Sequence, residues 1–195
     1  MDISSTKDKI VKAAYDCFSE KGYNATTTKE IAKTAGVSEV TLFRYFSTKS
    51  DIFKEMLKRY SFLPVLYKIK IESDGIDLQD TLKLIAVKFY NTLLERKQFV
   101  RIMLSEINHY SEEIIDIYSN FREELDSMLI SIFESKICDL KLKNFDLKVA
   151  SMGFIGMIYS FFLTNEIFLK KKVDDIELNN VINAFVDIFL NGIKK

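Results

Sequence analysis

The stretch from Thr26 to Phe53, TTTKEIAKTAGVSEVTLFRYFSTKSDIF, constrains the fold more than any other part of the chain, because it spells two short helices joined by a tight turn and the start of a third. Thr27 and Glu30 stand in the capping-box spacing, where each side chain satisfies an amide at the helix start, so a helix begins at Thr28. Ile31, Ala32 and Ala35 give that helix one apolar face. Gly36 ends it, since glycine enters the left-handed region without the clash that a Cβ brings. Val37 fills the corner, Ser38 caps the next helix, and Leu42 with Phe46 faces inward at i and i+4. Glu39, Val40, Thr41, Phe43, Arg44 and Tyr45 are left on or near the opposite surface. A short helix presented in this way fits the major groove of duplex DNA.

The rest of the chain reads as helices without a repeat or a flexible linker. One proline and six glycines are few for 195 residues, which favours long helices over a many-turned β fold. Ser5 with Asp8 predicts a first helix from about Thr6 to Lys21, ending at Gly22. Thr48 with Asp51 predicts a fourth through Ile52, Phe53, Met56, Leu57 and Tyr60, reaching the Pro64 region or kinking there. SDGID at 73–77 is a turn, and Asp77 begins a helix that ends near Arg96. A short helix from Gln98 to about Ile107 follows, then a helix capped by Ser111 that continues to about Cys138. Asp146 to about Lys171 and Asp174 or Asp175 to about Gly192 are the last two. The expectation is an all-α chain of about nine helices.

Gly36-Val37-Ser38, Thr41-Leu42-Phe43, Tyr45-Phe46, Lys49 and Asp51-Ile52-Phe53 together resemble the signature of the TetR family of bacterial transcriptional regulators. The resemblance covers about the first 55 to 60 residues by motif and the remainder only in length and helical patterning. It implies a three-helix helix-turn-helix DNA-binding domain over 1–48, a connecting helix over 49–63 and a helical effector-binding and dimerisation domain over 64–195. It also implies a homodimer that binds a palindromic double-stranded DNA operator and is released by a small molecule.

Within that frame Lys49, Thr28 and Tyr45 are expected to anchor phosphates, while Lys29, Glu39, Thr41 and Arg44 are placed to read base edges. Val40 adds apolar contact, and Ser38 and Phe43 complete the expected DNA-binding set. For each of these the bland alternative is a solvated surface residue. Two positions depart from the family pattern: Phe43 stands where many members carry Tyr, and Val40 where Gly, Ala or Pro is frequent.

Charge agrees weakly with this division. The net charge is zero, yet residues 1–60 carry eleven Lys or Arg against eight Asp or Glu, and the remainder is acidic by the same margin. Cys17 falls on the apolar series Ile10, Ala13, Ala14, Cys17, Phe18, as a core residue or a redox thiol, and Cys138 is far away, so no disulfide framework is implied. The N-terminus lacks a signal-peptide layout, which predicts a cytoplasmic protein. Met152 to Leu163 is strongly apolar but short of the roughly 20 residues that cross a bilayer, so a buried helix and no membrane partner are expected.

The last two helices suit association. Leu178, Val181, Ile182, Phe185, Ile188 and Phe189 recur at helical spacing, and Gly153, Gly156 and Ser160 make a strip of small residues on the preceding helix. By pattern these surfaces serve either their own core or a four-helix dimer interface, and the strip also leaves room for a bound molecule. The family resemblance favours the dimer.

Aromatic and sulfur side chains between residues 60 and 170 are numerous enough to line an effector cavity or simply to fill the core. The pocket set comprises Phe62, Tyr67, Phe89 and Tyr90, then Met103, Phe121 and Met128, then Phe154, Met157 and Phe161. His109, the one histidine, sits at a helix junction, either at a pocket mouth or on a surface loop. One His and two distant Cys give no metal cluster, and no cofactor is implied. No glycine-rich phosphate loop or histidine triad is present, which argues against an enzyme. An architectural or division-linked DNA binder of the same fold, without a small-molecule switch, is the alternative.

Overall fold

The computed structural model describes residues 5–137 and 146–193, so Cys138 and the expected end of its helix lie outside the described residues. Among the described residues all regular structure is helical. The helices are α1 Thr6–Ala25, α2 Thr28–Ala35, α3 Glu39–Tyr45, α4 Lys49–Tyr60, α5 Leu63–Glu72, α6 Leu78–Glu95, α7 Lys97–Glu106, α8 Glu112–Ile137, α9 Leu147–Phe162 and α10 Asp175–Ile193. A 3-10 turn at Ile107–His109 follows α7, and a π turn at Leu163–Phe168 extends α9.

Side-chain caps account for most of the starts. Ser5, Thr27, Ser38, Thr48 and Asp77 each accept from the amide three residues on, and Asp146 accepts from Lys148 and Val149. The Thr27 and Thr48 amides in turn donate to the carboxylates of Glu30 and Asp51, completing two capping boxes. α5 has no side-chain cap, and Pro64 occupies its first turn, where a missing N–H costs nothing. The connecting helix therefore stops at Tyr60, and a separate helix begins at Leu63, where the sequence pattern leaves one helix reaching Pro64 or kinking there.

The chain divides into two compact units. The first comprises Met1–Ser61 and Gln98–Arg122. Its core joins Ile10, Ala14 and Phe18 of α1, Ile31 of α2, Leu42 of α3 and Ile52, Phe53 and Met56 of α4 with Phe99 and Ile114. Tyr15 stacks on Tyr60 at 4.3 Å between centroids and also contacts Phe99 at 5.6 Å. The partition differs here from one that cuts the chain once between DNA-binding and effector halves. Residues 98–122 fold with the N-terminal helices because their apolar face completes that core.

The second unit comprises Phe62–Lys97 and Glu123–Lys195. α6 packs on α5, α9 and α10, and α9 packs on α10. Phe133, Phe154 and Phe189 form a ring cluster with centroids 5.1 to 6.3 Å apart. Leu178, Ile182 and Phe189, expected at a dimer interface, are instead buried inside this unit, because α10 turns that stripe toward α6 and α9. Val181 and Phe185 are half-buried, Ile188 is largely open at 63% exposure, and Gly153, Gly156 and Ser160 on α9 are exposed.

Glu166, at the π turn, is buried and fully engaged. It accepts from Tyr90 Oη at 3.2 Å, Lys97 Nζ at 2.7 Å and the Val173 amide at 3.2 Å. Together these bonds tie α6, Lys97 and the lead-in to α10 to the end of α9. By length and composition Leu147–Phe168 is apolar enough to cross a membrane, and Phe154, Ile158, Phe162 and Glu166 of this stretch are buried in the second unit.

Candidate nucleic-acid interface

The geometry of the interface follows from where α3 buries its apolar residues. Leu42 is fully buried and Phe46, which caps the helix, nearly so, and both belong to the core of the first unit. That fixes the opposite face outward. Val40 is 69% exposed, Phe43 and Tyr45 are each about half exposed, and Arg44 is exposed. Val40, Phe43 and Tyr45 thus put apolar surface into water on a seven-residue helix.

The turn before α3 is rigid for local reasons. Gly36 sits at φ 69°, ψ 31°, and Val37 donates its amide to Ala32 O at 3.0 Å, closing the end of α2. Ser38 Oγ accepts from the Thr41 amide at 3.1 Å and shares a second bond with Thr41 Oγ at 2.8 Å. The Thr41 hydroxyl therefore makes one bond within the cap and keeps acceptor capacity for another.

Two expected contacts are engaged inside the protein. Thr28 Oγ1 donates to Glu39 Oε1 at 2.6 Å, joining the first turn of α2 to the first turn of α3. Lys49 Nζ donates to Tyr23 O at 2.9 Å and Thr26 O at 3.0 Å, and stands 4.2 Å from the centroid of the Tyr23 ring. Burial holds the Lys49 ammonium below the ordinary lysine range, with the Glu106 carboxylate pulling the other way. Lys49 is thus a strut at the α1–α2 junction, with two of its three donors committed. Lys29 is exposed beside Thr28 on the first turn of α2.

The partners that frame this junction lie far away in sequence and leave no local pattern. Glu106, at the end of α7, accepts from the Tyr23 amide at 2.6 Å and the Asn24 amide at 3.4 Å. Asn24 Nδ2 donates to His109 O at 3.2 Å, and Ser50 Oγ donates to Glu113 Oε1 at 2.6 Å. Burial, followed by the nearby Glu113 carboxylate, pushes the Tyr23 phenol up to about 12. These contacts bridge more than sixty residues of sequence, and no local spacing announces them.

The expected effector residues divide between the two units. Met103 packs on the core of the first unit and Tyr110 Oη donates to its carbonyl, while His109 is exposed with its carbonyl bound to Asn24. Phe121 belongs to that unit too and meets Tyr118 at 6.2 Å. Met103, His109 and Phe121 belong to the first unit. Tyr67 is about half exposed on α5. Phe62, Phe89, Tyr90, Met128, Phe154, Met157 and Phe161 remain in the second unit, with Phe62 and Phe89 in ring contact at 4.9 Å and Tyr90 and Phe161 at 6.0 Å.

Known proteins resemble both parts of the chain. Residues 10–56 match the family of bacterial regulatory proteins, tetR family, and residues 80–192 match the C-terminal domain of AefR-like transcriptional repressors. The uncharacterized HTH-type transcriptional regulator YvkB of Bacillus subtilis is 25% identical over 188 residues, covering 96% of this chain and 97% of YvkB. The biofilm operon icaADBC negative transcriptional regulator IcaR of Staphylococcus epidermidis is 28% identical over 116 residues, covering 55% of this chain and 62% of IcaR. The transcriptional regulator FadR of Bacillus subtilis, solved with stearoyl-CoA, superposes with a TM-score of 0.75 over 95% of this chain and 98% of FadR at 21% identity, a likeness of fold. The N-terminal match spans α2, α3 and most of α4, and the C-terminal match spans more than half of the sequence: the chain belongs to the TetR family of helix-turn-helix, DNA-binding transcriptional regulators.

Proposed function

We propose that this regulator is a ligand-responsive repressor that binds a palindromic operator as a homodimer and leaves it when a small apolar or aromatic effector binds. The observation that carries the reading is the outward face of α3, with Val40, Phe43, Arg44 and Tyr45 held open by a buried Leu42. Base-edge contacts fall to Lys29, Glu39, Thr41 and Arg44, and backbone contacts to Ser38, Tyr45 and the remaining donor of Lys49. A dimer places two such helices in successive major grooves roughly 34 to 36 Å apart, which makes the operator an inverted repeat.

The partner copy is expected on the open sides of α9 and α10. Val149, Met152, Gly153, Gly156 and Ser160 are exposed along one side of α9, and Ile176 and Ile188 are exposed on α10. The effector is expected among the aromatic side chains of the second unit. A long-chain acyl thioester is a sensible first probe, since FadR was solved with stearoyl-CoA, and IcaR is a negative regulator. To release DNA, the effector must favour a state with the reading helices wrongly spaced, because equal affinity for both states shifts nothing. α4, which starts at Lys49 and belongs to the DNA-binding unit, is the proposed route for that change. A cytoplasmic location follows from this function.

The test is selection of bound DNA from random duplex, followed by competition with long-chain acyl-CoAs and apolar aromatics. An inverted repeat should be enriched, and at least one effector class should weaken its binding at least tenfold, roughly 1.4 kcal/mol. Enrichment of many unrelated sites, with no compound altering binding, would instead support an architectural protein.

A further inference from the structure

Glu39 is an unusual residue to present to DNA. Duplex DNA carries one negative charge per roughly 1.7 Å of its axis, and an ionised carboxylate accepts hydrogen bonds but donates none. Carried into the groove, it meets phosphate repulsion and loses water. Only a base that offers a donor there offsets this. Cytosine offers its N4 amine and adenine its N6 amine beside the N7 acceptor, while guanine O6 and N7 and thymine O4 present acceptors alone.

The carboxylate is also held. Thr28 Oγ1 donates to Glu39 Oε1 at 2.6 Å, the bond is part-buried, and both residues are half-buried. Thr28 opens α2 and Glu39 opens α3, and each helix start is itself fixed by a side-chain cap, at Thr27 and Ser38. The threonine thus occupies one oxygen and restrains the side chain, leaving Oε2 to accept from a base. The first turn of a recognition helix is also the part that contacts base edges.

We propose that Glu39 is a specificity filter, selecting cytosine at one position of each half-site chiefly by excluding guanine and thymine, and that Thr28 is its positioning residue. Restraint is what makes the filter work, because a free glutamate would swing into solvent and tolerate any base at the entropic cost of one rotamer. This assignment rests on the proposed binding of an inverted-repeat operator. It gives Thr28 a task other than anchoring a phosphate.

The experiment is selection from random duplex at near-physiological salt with the full chain and the variants Glu39→Gln, Thr28→Val and Thr28→Ser. Wild type is expected to favour cytosine over guanine or thymine at one half-site position by roughly tenfold or more. Glu39→Gln should move the choice toward adenine and bind random duplex more tightly, since an amide both donates and accepts. Thr28→Val should reduce the cytosine preference to about threefold or less, and Thr28→Ser, which keeps the hydroxyl, should restore it. A clamp of purely structural value, or a phosphate anchor, would lower affinity for all sequences alike and leave base choice unchanged; that result for Thr28→Val overturns the proposal. So does a Glu39→Gln protein with the wild-type preference. If wild type selects no inverted repeat, the operator reading itself falls and takes the filter with it, a failure distinguishable from the other two.

Discussion

Lys49 is the residue whose role changes most between sequence and structure. A lysine after the recognition helix reads as a phosphate anchor, yet its ammonium lies on Tyr23 O and Thr26 O and against the Tyr23 ring. Thr26 itself donates to Gly22 O at 2.7 Å, so the lysine completes a small hydrogen-bonded junction that sets where α2 begins. Lys49→Ala leaves both carbonyls without that donor, and we expect a loss of about 1 to 3 kcal/mol of stability. Operator affinity should fall for every sequence alike, because the whole reading element is loosened. Chemical denaturation beside a salt titration of DNA binding checks both; an unchanged denaturation midpoint would leave the phosphate contact as the one role of Lys49.

At the scale of the elements, Gly22 interrupts α1 where a simple helix end is predicted. Its φ of 84° and ψ of 171° lie in a region essentially reserved for glycine, after which the chain makes one more turn to Ala25. The carboxylate of Glu106 caps that extra turn by accepting from Tyr23 and Asn24, and a Cβ on Gly22 would overlap it. Gly22→Ala is expected to cost about 1 to 3 kcal/mol from the backbone alone. The double variant with Glu106→Ala should be less destabilised than the sum of the two, since the overlap is then relieved. Additive losses in a denaturation cycle would show that the two residues do not meet. Helix starts such as Thr28 and Leu78 are legible in sequence because a cap acts over three residues. α5 lacks such a cap, and the Glu106 and Glu166 contacts join segments that only tertiary folding brings together, so neither leaves a local pattern.

Glu166 carries a pH dependence at the same scale. Burial would raise its pKa, but the Lys97 ammonium, the Val173 amide and the Tyr90 hydroxyl outweigh burial, and the net shift is downward from 4.5. A folded-state value below the unfolded one means that the stabilisation is fully present above the unfolded value and is lost as pH falls through the folded one. Glu166→Gln should therefore flatten the stability profile on the acid side, followed by denaturation between about pH 3 and pH 7. An unchanged acid limb would mean that the pair contributes nothing to acid sensitivity.

For the whole molecule, the decisive question is whether two copies meet along α9. The outward side of that helix combines Met152, at 45% exposure, with Gly153 and Gly156, where an added Cβ meets nothing within 4 Å. Small residues with open space above them cost a single chain helix stability, roughly 1 kcal/mol each relative to alanine, and gain nothing inside it. Close approach of a second helix would recover that cost. Gly156→Gln separates the possibilities, because the larger side chain fits the isolated chain and favours the helix but stands where a partner backbone would come. We expect the variant to keep or raise its unfolding midpoint, to sediment as monomer at concentrations where wild type is dimeric, and to bind a palindrome no better than a single half-site. A variant that remains dimeric with full operator affinity would move the contact elsewhere on α9 and α10. The two reading helices would then need a different twofold axis to reach successive grooves.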